Sequence, residues 1–195
     1  MNRTIFLTGL LATTLGAVAT AAAPAPETTP TTTAVAASQP ADPVFDCYRM
    51  NSAWGFVMAG AMIDSRGAIF SYRVNGKPWA PMPQIADGMH WLDAAQLRAK
   101  FTNAKPDGSV DAKSLQENTA LISSAALGKI SSADTGVRDA GTSTCHAYIH
   151  DANGKRFQDI QLGSDGGVAD TRQANSAPAA KTLLTWLTSV GVAKK

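Results

Sequence analysis

The chain has 195 residues, 45% of them hydrophobic, with 17 basic and 15 acidic side chains and a net charge of +2. The charges are scattered, which excludes the clustered Lys and Arg footprint of a nucleic-acid binder. No apolar run reaches the roughly 20 residues needed to span a bilayer as a helix, so no transmembrane segment is expected once the leader described next is removed.

Residues 1–21 read as a secretory signal peptide. Arg3 supplies the positive start, residues 5–15 form a short apolar stretch, and Ala17-Val18-Ala19 or Ala19-Thr20-Ala21 satisfies an A-x-A cleavage rule. Residues 22–43 are mostly Ala, Pro and Thr, too poor in large apolar groups to offset the entropy of ordering, and are expected to form a disordered tether. Residues 44–195 then make a single globular domain of ordinary size. The expected destination is periplasmic or secreted.

Within that domain, residues 53–63 are apolar on both alternating faces, as in a strand covered on each side. Asp64-Ser65-Arg66-Gly67 supplies a turn and residues 68–74 a returning strand, a first β-hairpin. Three prolines between residues 78 and 83 predict an irregular loop. Asp93 and Gln96 form a capping box for a short helix carrying Ala94, Leu97 and Phe101 on one face. A second helix is predicted from Asp111 or Ser114 to Leu127, with Gly128 as its C′ residue. Residues 143–150 and 156–162 read as a second hairpin around the turn at Asp151-Ala152-Asn153-Gly154. Ser176 is expected to cap a last helix, with Pro178 in its first turn and Ala180, Leu183, Leu184 and Leu187 on its apolar face. The fold class that follows is α+β: an antiparallel sheet built from two hairpins, with three helices packed on it.

Cys47 and Cys145 are the only cysteines, 98 positions apart. An even count in an exported chain is most simply one disulfide. The segment Phe45-Asp46-Cys47, followed later by Cys145-His146-Ala147-Tyr148-Ile149, also loosely resembles the cell-wall cysteine peptidases of the NlpC type. That resemblance implies a thiol-dependent hydrolase with Cys47 as nucleophile and His146 as base. The segment after the cysteine, Tyr48-Arg49-Met50-Asn51-Ser52, lacks the family's small residues and helical pattern.

No nucleophile elbow, zinc-protease motif, phosphate loop or dinucleotide fingerprint occurs, and no cofactor is expected. His146 and His150 lie four apart on a strand, roughly 13 Å from each other, and His90 is remote, so no metal site is expected. Trp54 and Trp186 belong to apolar patterns. Trp79 sits in the proline loop and Trp91 just ahead of a helix, positions suited to anchoring a partner. The leading expectation is therefore a non-enzymatic binding protein of a bacterial-type envelope, an inhibitor or immunity-type protein whose partner is an envelope or extracellular protein. Nothing in the sequence specifies an oligomeric state.

Overall fold

The structure, a computed structural model, describes residues 39–194 except 52–54, 78, 80–83, 87, 135–140 and 167–170. The expected signal peptide, the tether up to residue 38, Trp54 and most of the proline loop lie outside the described residues.

Ten strands make one antiparallel sheet among the described residues. Its centre is β1 (Pro43–Asn51), flanked by β2 (Phe56–Asp64) and β8 (Thr142–His150). Beyond β2 come β3 (Ala68–Gly76) and the edge strand β6 (Lys105–Ser109); beyond β8 come β9 (Arg156–Gly166), β5 (Met89–Asp93) and β4 (Gln84–Ala86). The far half of β9 pairs instead with β10 (Thr171–Asn175), which carries β7 (Ile130–Asp134) outside it. The two expected pairings, β2 with β3 and β8 with β9, are present. A sheet built from two hairpins is nevertheless too small a description. The short strands β6 and β10 are polar or glycine- and proline-bearing, so their sequences read as a break and a turn, and only a neighbouring edge makes them strands.

The sheet is buried on both faces because its central strands alternate between two apolar layers. Phe45 and Cys47 of β1, Ala61 and Ile63 of β2, Ala147 of β8 and Ile160 and Leu162 of β9 belong to one layer. Met58 and Met62, Phe70 and Tyr72, Tyr148, and Phe157 belong to the other. The first face is covered by α3 (Ile122–Ala125), α4 (Pro178–Ser189) and a 3₁₀ turn (Val192–Lys194). Ala180, Leu183 and Leu187 of α4 are buried at helical spacing there, and a buried leucine contributes about 1.5–3 kcal/mol. The second face is covered by α1 (Ala94–Ala99) through Leu97, extended by Phe101. As the capping box predicts, Asp93 caps α1 by accepting from the Gln96 amide.

Three local expectations change. The predicted second helix breaks into α2 (Ala112–Thr119), capped by Asp111, and α3. Gly128 is not at positive φ, and is glycine for another reason: a Cβ there would collide with the Asn175 side chain and press on the Ala177 amide nitrogen. The cap residue of α4 is Ala177, whose amide donates to Asn175 Oδ1, while Ser176 Oγ accepts from the Lys129 amide.

The residues just before β1 join the domain although their composition resembles the tether. Asp64, wholly buried at the end of β2, accepts from the amides of Ala41, Arg66 and Ala68 and pairs with the Arg66 guanidinium. Asp42 pairs with Arg98 and His150.

Cys47 lies directly opposite Cys145 in the β1–β8 register, and the two form a disulfide with a Cα separation of 4.1 Å. The bond closes a loop whose ends lie 98 residues apart. Replacing both cysteines by alanine should therefore lower stability by about 2–5 kcal/mol, read as a lower urea midpoint together with a larger m-value, because the unfolded chain expands when the cross-link is gone.

Candidate functional site

On β1 the alternation that sends Phe45 and Cys47 to the first face sends Asp46 to the second, where it is 0% exposed. An isolated carboxylate at such a position is prohibitively costly, so it requires partners. The cation comes from Lys100, the residue that ends α1, which is 4% exposed and pairs with Asp46 Oδ2. The Tyr72 hydroxyl donates to Oδ1 at 2.7 Å and the Tyr148 hydroxyl to Oδ2 at 3.3 Å. On its other sides the Lys100 ammonium meets aromatic faces, 4.0 Å from the centre of Tyr48 and 4.8 Å from that of Trp79.

Burial lowers the Lys100 pKa, opposed by the nearby Asp46 and Asp159. Burial, and then the charge of Asp46, push the Tyr72 and Tyr148 hydroxyls well up, so both stay protonated as donors. Tyr48 is raised for the same reasons.

A second polar unit adjoins the first. His146 Nδ1 is bonded to Asp159 Oδ1 at 2.6 Å, and its Nε2 lies 3.5 Å from the Tyr48 hydroxyl. Burial acts to raise Asp159, but His146, Lys100 and His90 outweigh it and hold the carboxyl below its ordinary value. An imidazole oriented by a carboxylate has the form of a general base. Here its other nitrogen meets a hydroxyl that is itself kept protonated, and the unit is closed on itself.

The sheet separates the residues of the thiol-hydrolase expectation. Cys47 belongs to the first-face layer and is bonded to Cys145, whereas His146 sits with Tyr48 and Tyr148 on the second face. The structure therefore brings neither a free thiol nor a thiol–imidazole contact. Trp79 is half-buried, roofing Lys100 with its Nε1 donating to the Gln96 carbonyl at 3.2 Å. Trp91, on β5, is also half-buried, with the Arg156 guanidinium 4.6 Å above its ring. His150 is occupied with Asp42 and stacks on Phe157, away from the Asp159 partner of His146.

Sequence reasoning missed the Asp46–Lys100 pair. The available signal is that Lys100 stands three residues after Leu97 and one before Phe101, on the buried face of its helix.

A second candidate lies on the first face. Between β1, β8, β9 and β10 on one side and α4 with the 3₁₀ turn on the other is a cavity of about 490 Å³. The Cys47–Cys145 pair, Leu162, Leu184, Val192 and Ala193 give it apolar walls, and Arg49, Ser143, Ser164, Asp165, Arg172, Gln173 and Lys181 add polar lining. The β8–β9 register slips between Cys145 and His146, where Leu162 is the extra residue on β9. A smaller cavity of about 380 Å³ touches Tyr72, Trp79 and Lys100, although the Lys100 side chain exposes no surface to it.

Two outcomes test the polar cluster. Lys100→Met leaves Asp46 buried without its cation and should cost about 3–5 kcal/mol in urea unfolding, part of it recovered when Asp46→Leu is added. The lowered Asp159 pKa means that its carboxylate stabilises the fold at neutral pH and that this contribution is lost as pH falls from 3.8 through the lower folded value. Asp159→Asn should lower neutral-pH stability and flatten that acid dependence, measured as unfolding midpoint against pH.

Comparison of the chain with protein-family models, with curated proteins and with solved structures finds no match.

Proposed function

We propose that this is an exported, non-enzymatic binding protein of a bacterial-type envelope, and that its ligand site is the cavity under α4. The observation that carries the reading is the cavity itself: about 490 Å³, within the usual range of roughly 300–1,000 Å³ for small-ligand sites, with apolar walls and a few polar groups. The chemistry-bearing residues favour binding over catalysis. Both cysteines are spent on the disulfide, Asp46 is satisfied by Lys100, Tyr72 and Tyr148, and His146 is bonded to Asp159. Export rests on the leader of residues 1–21 and agrees with a disulfide, which persists in oxidising compartments.

A protein partner remains the second reading, at a different place from an exposed Trp79 anchor. Ile85 is 70% exposed on the edge strand β4, whose register neighbour β5 carries Trp91. Such an edge suits addition of a partner's strand.

The neutral, apolar dye phenyl-naphthylamine tests the cavity reading. Its fluorescence should rise saturably with one equivalent of protein, and the rise should be lost in Ala193→Trp and in Ala174→Trp, which fill the cavity from the 3₁₀ turn and from β10. No saturable signal in wild type, or an equal signal in folded filled variants, overturns the reading.

A further inference from the structure

We infer that Lys100 and Asp46 condense, with loss of one water, to an amide that covalently joins the end of α1 to β1, a cross-link in addition to the disulfide. The substrate is the protein's own ion pair, so the inference is independent of what the cavity under α4 binds.

The two groups are placed to react. The Lys100 ammonium pairs with Asp46 Oδ2, an oxygen bonded to the carbon that an amine would attack, and neither side chain exposes surface to water. Asp46 is held by the central strand, and Lys100 by the end of a helix whose Leu97, with the Phe101 that follows, is buried in the second-face layer. Reactants fixed in this way behave as if highly concentrated; effective molarities of well-oriented intramolecular pairs reach about 10⁵–10⁸ M.

The surroundings favour the uncharged forms that react. In water an amine and an acid rest as ammonium and carboxylate, which do not combine. Here the ring centres of Tyr48, Trp79, Tyr72 and Phe101 lie 4.0, 4.8, 5.4 and 5.5 Å from Nζ, and burial penalises both charges. Burial lowers the Lys100 pKa, toward the neutral amine. The Tyr72 hydroxyl, kept protonated by burial and by the Asp46 charge, donates to Oδ1 at 2.7 Å. It thus stands where negative charge develops as the amine adds, in the manner of an oxyanion-hole donor. The Tyr148 hydroxyl donates to Oδ2, the oxygen that departs. The Lys113–Glu117 pair, by contrast, is exposed at both ends and 3.9 Å apart, and stays an ion pair.

The step balances without a co-reactant. One proton passes from Nζ to Oδ2, giving amine and carboxylic acid. The nitrogen lone pair then forms the Nζ–Cγ bond, a second proton moves from Nζ to Oδ2, and the Cγ–Oδ2 bond breaks with its electron pair on the oxygen, which leaves as water. Two opposite charges become one neutral amide, so the desolvation cost of the pair is removed. The cavity of about 380 Å³ that touches Tyr72, Trp79 and Lys100 offers space beside the site for the released water.

The test is the mass of the exported full-length protein with its disulfide reduced. After allowance for each substitution, wild type should be lighter by one water than Lys100→Arg and than Asp46→Ala, a comparison that holds whether or not the variants keep their fold. Trypsin should release from wild type a branched peptide that joins the one ending at Arg49 to the one beginning at Ala99, uncut after Lys100. No mass difference, with ordinary cleavage after Lys100, overturns the inference. So does a missing water without the branched peptide, which places the loss elsewhere in the chain.

Discussion

The fold depends on a stretch of one strand, Phe45-Asp46-Cys47, that has no solvent face. β1 lies between β2 and β8 in the middle of the sheet and is covered above and below. Each of these three residues must therefore find a partner in one of two layers. Phe45 and Cys47 do so by packing and by a disulfide to the neighbouring strand. Asp46 does so by drawing Lys100 and two tyrosine hydroxyls into the opposite layer. The helices on each face follow from that demand: α4 and α3 complete the apolar side, and α1 delivers the cation to the polar one.

This division of labour between the faces bears on function. A buried ion pair need not stabilise a protein more than well-packed apolar residues would, because desolvating each charge costs several kcal/mol. What the Asp46 cluster does is specify: it ties the end of α1 to one position on β1, and the Trp79 side chain with it. The same closure leaves the Asp46 and Lys100 side chains without exposed surface. On the other face, helix α4 and the 3₁₀ turn leave unfilled space beside the disulfide. The Asp46–Lys100 cluster and the larger cavity thus lie on opposite faces of the sheet.

The sequence by itself determined the strongly patterned local elements and the likeliest covalent bond. The β2–β3 and β8–β9 pairings, the Asp93 cap and the buried stripe of α4 follow from periodicity and capping chemistry, which act over a few residues. The cysteine pairing follows from there being only two. Tertiary structure alone decided the rest. Polar segments such as Lys105–Ser109 and Thr171–Asn175 become strands only because a partner edge accepts their backbone. Cys47 and His146 are parted because the pleat sends neighbouring positions to opposite faces, and Asp46 meets Lys100 because a helix folds back across the sheet from 54 residues away. The cavity likewise belongs to no single segment. Its walls come from β1, β8, β9, β10 and α4, and their meeting is a property of packing rather than of any local pattern.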